Sequence, residues 1–474
     1  MLNIQLNRTS PHSPYYLQIS EQVRQAIAEG ALAQGTRLPP SRQLAMELSI
    51  SRRTVVAAYE ELCSQGYCVS RVGQGTVVAK IPTLQREDKK GKLRGYPTWL
   101  LGYSNISNIQ SNDPGKICFT PSLAQVNFLP LKAMRQAFGK VLQEASKLGH
   151  YQKDNGNPGL IQSIVEHVLP ARGIQAAPDQ ILITSGSQYS SLLLSQLIAP
   201  YGGCISYGVP GYLDIPRNFT SMGLVGLPCP VDEEGVCLTE AARSARLHYV
   251  MPEHHFPQGV TLSPSRRTAL LQLAQEQDAL IIEDDYDSEF YYDRHPLPAL
   301  KAGDMGGRVV YLGTFSKSLF NSLRLGYIVA HPDIVRQLVE IHWQFSRGTS
   351  LVLQLWVTEL LESGLVDRHL RRMRTYYRRN RDLIAFHLKQ MFPEWGWKLP
   401  NGGLQFWVQL PQHTQVKSII HTAAERRVSL WSGTQSYDEY TPEAAYRLIL
   451  GFGALTPRLI DQAFDRLSGM GTAL

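Results

Sequence analysis

The sequence predicts two modules of different fold class: a small α+β winged helix-turn-helix over residues 1–79 and a large α/β domain over residues 116–474, joined by a linker at 80–115. Three observations carry this reading. The chain has 474 residues, more than one ordinary core organises. Its charge is lopsided, with 13 Lys/Arg against 7 Asp/Glu in residues 1–95 and 34 against 33 in the rest. The hydrophobic pattern also changes, from three short helical stretches and a hairpin to helical patterns alternating with short β-branched runs.

A hydrophobic content of 43% excludes wholesale disorder. The longest apolar runs, such as that near Leu192 to Ile198, are too short to span a bilayer, so no membrane role is expected. The polar start, Met1 to Ser10, has no signal-peptide pattern. Six scattered cysteines without paired metal spacing fit free thiols in a reducing cytoplasm.

In the first module Tyr16, Ile19, Val23 and Ile27 recur at helical spacing, and Gly30 closes the pattern. Pro39-Pro40-Ser41 announces a second helix, with Ser41 as its cap and Leu44 and Leu48 inward. After the turn Ser49-Ile50-Ser51, a third helix is expected with Ser51 as cap and Val55, Ala58, Tyr59 and Leu62 buried. Residues 66–71 and 76–78 read as two strands turning at Gly73-Gln74-Gly75. Two short helices so closely joined, followed by a hairpin, have the proportions of a DNA reader. Arg52, Arg53 and Thr54, behind Ser51, would face base edges or phosphates of double-stranded DNA. Arg42 would contact backbone phosphate, and Gln74 and Gly75 would carry the wing into the minor groove. The basic surplus of the first fifth of the chain agrees.

Residues 80–115 show no sustained period and a charged run at Arg86 to Lys92, as expected of an interdomain tether. Beyond them, Ile181 to Thr184, Ala279 to Ile282 and Val309 to Leu312 are apolar runs flanked by helical patterns, which suggests a parallel, doubly wound sheet with its ligand site at the strand carboxyl ends. Three clusters follow these runs. Thr184-Ser185-Gly186-Ser187-Gln188 opens a helix and suits an anion. Glu283-Asp284-Asp285-Tyr286-Asp287 is either a metal site or a carboxylate held against a cation, and its spacing with His254-His255 matches no metal pattern. Gly313-Thr314-Phe315-Ser316-Lys317, with Arg324 seven residues on, places a lysine amid small residues where it could serve as an amine nucleophile. Together an anion turn, a carboxylate, a lysine and an arginine would hold a phosphorylated aldehyde.

Leu38-Pro39-Pro40-Ser41-Arg42, the stretch Ser51-Arg52-Arg53-Thr54-Val55 and the wing Gly73-Gln74-Gly75-Thr76 resemble the GntR superfamily. The strings from Glu283 to Phe290, Gly313 to Lys317 and Leu323 to Tyr327 resemble fold-type I aminotransferases, and the whole chain resembles the MocR/GabR subfamily of GntR regulators. That resemblance implies a pyridoxal 5'-phosphate (PLP)-dependent aminotransferase-like fold in the large domain. It implies that Lys317 links covalently to the cofactor, Asp284 pairs with its ring nitrogen and Tyr286 bonds its phenolic oxygen. Ser187, Gln188, Thr314 and Arg324 would hold the phosphate, with Tyr212 near the ring and His254 at the pocket wall. Members usually dimerise, which would present two winged helices to repeated half-sites.

Three positions depart from the pattern. Gly208-Val209 stand where Glu-Asp is common, Asp214 stands where a GABA-responsive member has arginine, and Ile449 occupies the place of a carboxylate-clamping arginine, with Arg447 two residues earlier. The resemblance therefore points to a transcription regulator whose large domain senses PLP or a small amine or amino acid. The alternative is a working aminotransferase that carries a DNA-binding module.

Overall fold

The computed structural model describes residues 4–7, 14–71, 75–79, 115–143, 149, 153–412, 414, 416–439 and 441–468. Gln74 lies outside them. The chain divides into two compact units, Met1–Gln110 and Ser111–Leu474.

In the first unit α1 (Tyr15–Ala28), α2 (Ser41–Leu48) and α3 (Arg52–Ser64) pack Ile19, Val23, Leu44, Val55, Ala58 and Leu62 into one core. Ser51 caps α3, its hydroxyl accepting from the Arg53 N–H at 3.1 Å. Ser41 is not the cap of α2. Pro40 occupies that position without a side-chain bond, and Ser41 is the first helical residue, one place too far in to reach the open N–H groups. Its hydroxyl lies 3.4 Å from Arg52 Nε instead. Between the helices Ser49 adopts a left-handed conformation, φ 54°, which makes the tight turn.

Strands β1 (Cys68–Arg71) and β2 (Gly75–Val78) pair from Cys68↔Val78 to Arg71↔Gly75. The sequence pattern did not reveal that residues 36–38 join them. Leu38 N–H bonds to Thr76 O at 2.9 Å and Val78 N–H to Thr36 O at 2.9 Å, which lays Arg37 beside Val77. Three residues are too few to show a strand period.

The second unit is built on an eight-stranded sheet. In chain order its strands are β3 (Ile181–Thr184), β4 (Cys204–Val209), β5 (Val225–Asp232), β6 (Gly235–Val236), β7 (Leu247–Val250), β8 (Leu280–Asp285), β9 (Val309–Thr314) and β10 (Gly326–Val329). They lie side by side as β3-β10-β9-β8-β7-β4-β5-β6. Strands β9, β8, β7, β4 and β5 run parallel, as expected, but β10 lies antiparallel between β9 and β3, and β6 antiparallel to β5. The reason is length. Only residues 315–325 separate β9 from β10, too few for the helical crossover that a parallel return needs.

Each face of the sheet is covered, one by a cluster around Leu182, Ile205, Ile282 and Val310, the other by Ile281, Val309, Leu270 and Ala274. Strands buried on both faces read as continuous apolar runs rather than alternations. A four-stranded antiparallel sheet, β11 (Gly396–Trp397), β12 (Gln405–Gln409), β13 (Trp431–Ser432) and β14 (Arg447–Gly451), follows in the order β11-β12-β14-β13. Among the described residues no helix is long and apolar enough to cross a membrane.

Candidate functional site

On the first unit Arg42, Ser51, Arg52, Arg53 and Gly75 are exposed and Thr54 is half-buried. The cap at Ser51 directs the start of α3 outward, so Arg52 and Arg53 follow from the same hydroxyl that begins the helix. Arg37 is a residue the sequence reading missed. It is exposed, and its guanidinium lies over Gly75, where an added Cβ would meet Nε at 3.3 Å. With φ 77°, Gly75 both turns the wing and leaves room for that arginine. Replacing Arg52 and Arg53 together by Ala is expected to reduce the slope of log K against log salt on duplex DNA by about 1.8, at about 0.9 per phosphate contact. An unchanged slope in a fluorescence anisotropy titration would place the DNA-facing surface elsewhere.

On the second unit the acidic cluster resolves through strand geometry. The apolar run ends at Ile282, but β8 continues through Asp285, so Glu283, Asp284 and Asp285 alternate between faces. Glu283 accepts from the Leu300 and Lys301 N–H groups at 2.7 and 2.9 Å. Asp285 accepts from Arg172 Nε at 2.6 Å and the Tyr311 hydroxyl at 2.8 Å, and despite its burial Arg172 holds its carboxyl below the usual range. Asp287 pairs with His254 Nδ1 at 2.7 Å.

Asp284 alone turns to the other face. There Oδ2 accepts from the Tyr249 hydroxyl at 2.8 Å, while Oδ1 is fully buried with no partner. Burial pushes this carboxyl up to about 7, against the lowering influence of Tyr249 and Lys317. A buried carboxylate oxygen without a donor is costly unless a ligand supplies one.

The remaining predicted residues gather around it. Lys317 stands just beyond β9, half-buried, its Nζ donating to Ser122 O at 2.6 Å. Burial lowers its pKa, with Asp287 and Asp284 opposing and Arg324 assisting. The Tyr286 hydroxyl donates to His254 O at 3.1 Å and lies 3.4 Å from Gln405 Nε2. The Gln188 amide donates to the Tyr212 hydroxyl at 2.8 Å, and the Tyr212 ring packs edge-on against Phe256.

Ser187 is the first residue of α4 (Ser187–Ile198), entered through Gly186 at φ 95°. The Arg324 guanidinium lies against this turn, 3.3 Å from where a Gly186 Cβ would stand, and Arg324 is exposed with no carboxylate partner among the described residues. Open helix N–H groups beside an unpaired guanidinium are groups that could hold an anion. Thr314 Oγ1 caps the adjacent turn, accepting from Ser316 N–H at 3.1 Å. His254 is buried, lies against Gly402 and is bound to Asp287. Burial opposes its charge, but Asp287 prevails and its pKa is raised.

Tyr249, Ser122, Gln405 and Arg172 escaped the sequence reading. A hydroxylated aromatic within the apolar strand β7 was the one available signal, since a buried Tyr hydroxyl seeks a partner. The others come from distant segments and carry no local pattern.

The clamp position behaves as its residue types dictate. Ile449 is buried in β14. Arg447 donates to Gln409 Oε1 at 2.8 Å and lies 5.6 Å from the Trp407 ring centre, so its guanidinium is already engaged.

The family model described as aminotransferase class I and II matches residues 121–435, and that of the bacterial regulatory proteins, gntR family, matches residues 15–78. The HTH-type pyridoxine biosynthesis transcriptional regulator PdxR of Corynebacterium glutamicum is 30% identical over 94% of this chain and 94% of its own. The probable rhizopine catabolism regulatory protein MocR of Rhizobium meliloti is 29% identical over 97% and 94%. The chain belongs to the MocR/GabR-type subfamily of GntR transcription regulators. Members of this subfamily join a DNA-binding winged helix to an aminotransferase-like domain. The second unit is similar to the α-aminoadipate aminotransferase LysN of Thermus thermophilus, solved with N-(5'-phosphopyridoxyl)-L-leucine, at TM-score 0.69 and 26% identity over 76% of this chain and 93% of that one. It is also similar to the kynurenine aminotransferase of Pyrococcus horikoshii, solved with PMP, at TM-score 0.68 and 26% identity over 76% and 91%.

Proposed function

We propose that this regulator binds PLP at Lys317 and that occupancy of the site, by the cofactor alone or with a small amine, sets how a homodimer engages double-stranded DNA in the cytoplasm. The observation that carries the reading is Asp284. Asp287 also has an unpartnered buried oxygen but is paired with His254, whereas Asp284 has only the neutral Tyr249 hydroxyl on Oδ2, so its buried Oδ1 is left for a cationic donor, which the protonated ring nitrogen of PLP would supply. When bound, PLP supplies an electron-withdrawing ring conjugated to a reactive aldehyde carbon.

The chain's own residues would do the rest. Burial keeps a larger share of Lys317 as free amine than an exposed lysine has, and Ser122 O orients it. Arg324, the N–H groups at Ser187 and Gln188, and the Thr314 turn would take the phosphate. Tyr212, fixed by Gln188, would flank the ring, and Tyr286 would donate to the phenolic oxygen after releasing His254 O. Ile449 and the engaged Arg447 offer no bidentate clamp for a carboxylate. That favours a sensor over steady turnover of amino acids.

Arg324 provides the test. Arg324→Gln is expected to weaken PLP binding at least tenfold, at about 1.5–3 kcal/mol for a hydrogen bond to a charged group. Pyridoxal, which has no phosphate, should bind the variant and the parent alike. Equal losses for both compounds, measured by absorbance titration, would remove Arg324 from the phosphate site.

A further inference from the structure

Three consecutive residues after β7 each reach a group of the cofactor site. His254 O accepts from the Tyr286 hydroxyl at 3.1 Å, and the Phe256 ring packs edge-on against Tyr212. Between them His255 reaches the turn that carries Tyr212, its Nε2 lying 2.9 Å from Pro210 O. A carbonyl only accepts, so the ring proton sits on Nε2. Burial keeps the imidazole neutral, pushing its pKa down to about 4 against the opposing pull of Pro210 O. The residue is buried and its backbone is tied twice, the N–H to Val260 O at 2.8 Å and the O to the Gly259 N–H at 2.7 Å. This histidine is therefore a fixed donor.

The turn it holds has little freedom of its own. Gly211 N–H donates to Ser436 O at 2.8 Å, and a Cβ on Gly211 would collide with Gly208 O. Gly208, near the end of β4, is one of the positions that depart from the family pattern, and the histidine explains it. A Cβ there would meet His255 Cε1 at 2.5 Å and Val231 Cγ2 at 2.7 Å. The space that a side chain at 208 would occupy is filled by the imidazole. Tyr212 is thus held at both ends, its hydroxyl by the Gln188 amide and its backbone by the turn that His255 fixes.

We propose that His255 is a positioning residue for the cofactor: through Pro210 O it fixes the turn Pro210-Gly211-Tyr212 and holds the Tyr212 ring in place for PLP, in a space that Gly208 leaves open. The proposal rests on the reading that PLP binds at Lys317. His255 acts through Tyr212, and the identities of residues 208 and 255 are coupled.

The test is an absorbance titration of the full chain with PLP, followed by visible circular dichroism of the loaded protein. His255→Leu keeps the bulk and loses the donor. It should bind PLP about fivefold or more weakly, because binding must re-order the released turn, and its ellipticity per bound PLP should fall. His255→Gln retains a donor and should keep the parent's affinity and signal. In a Tyr212→Leu background His255→Leu should change neither quantity further, since the two residues act as a unit. Gly208→Ala drives a methyl into the imidazole and should lower both quantities, less so when combined with His255→Ala. A His255→Leu protein with the parent's Kd and ellipticity overturns the proposal. So does a His255→Gln protein as weak as His255→Leu, or an undiminished effect of His255→Leu on Tyr212→Leu. Should His255→Leu not fold, Gly208→Ala carries the same test, and parental values in it overturn the proposal. A parent that gains no PLP signal overturns the cofactor reading itself, and this proposal with it.

Discussion

Asp284→Asn is expected to stabilise the cofactor-free protein above pH 7 while sharply weakening its hold on PLP. The stability effect follows from linkage. The folded-state pKa of Asp284 is raised from 3.8 to about 7, so between those values the native state holds a proton that the unfolded chain has released. Asp284 therefore contributes a loss of stability as pH rises through that window, alongside Glu283 and Glu289, whose carboxyls burial also pushes up, and only the Asp284 share is removed in the variant. At 1.36 kcal/mol per unit the effect is at most about 4 kcal/mol. Asn carries no charge to bury, so the variant should melt higher than the parent at pH 8 and close to it near pH 4. The cofactor effect has the opposite sign. Loss of a charge-assisted bond to the ring nitrogen costs about 1.5–3 kcal/mol, or roughly ten- to a hundredfold in Kd. Parallel melts at both pH values with an absorbance titration measure the two halves. A variant that melts like its parent at pH 8 and binds PLP as well would show that Asp284 faces no ligand.

Lys317→Ala should abolish the visible absorbance that PLP acquires on binding the parent protein, because Lys317 is the lysine whose charge acts on Asp284. Arg324 and Asp284 remain in the variant, so PLP should still bind without covalent attachment, detectable by equilibrium dialysis. The lowered pKa of Lys317 also predicts that attachment in the parent speeds up as pH rises and levels off below the ordinary lysine range. Visible absorbance in Lys317→Ala equal to the parent's would assign the nucleophile to another residue.

Local chemistry made much of this legible in sequence. Ser51 capping α3, the buried face of Val55, Ala58 and Leu62, and the wing hairpin are each set by residues within a few places of one another. The glycine turn that opens α4 and the position of the lysine after β9 were readable for the same reason. What escaped was set by partners far along the chain. That Asp284, rather than Glu283 or Asp285, faces Lys317 depends on β8 running three residues into the acids, which composition alone would not suggest. Tyr249, 35 positions before Asp284, and Ser122, 195 before Lys317, are brought in by sheet order and by the approach of a distant segment. Ser41 failed as a cap because Pro40 takes that position and Ser41 is already the first helical residue. The antiparallel course of β10 came from loop length, a signal present in the sequence but outweighed by the apolar runs around it.

The central claim is that the cofactor site governs DNA binding, and footprinting with PLP as the varied component tests it most directly. The fragment should be the DNA flanking the regulator's own gene, probed with cofactor-free protein, with PLP, and with PLP plus candidate amines, in parent and Lys317→Ala. The account predicts a footprint whose extent or midpoint changes with PLP in the parent and stays fixed in the variant, since a ligand shifts an equilibrium only through differential binding to its states. A footprint identical with and without PLP in the parent, under conditions where its absorbance shows the site filled, would contradict it.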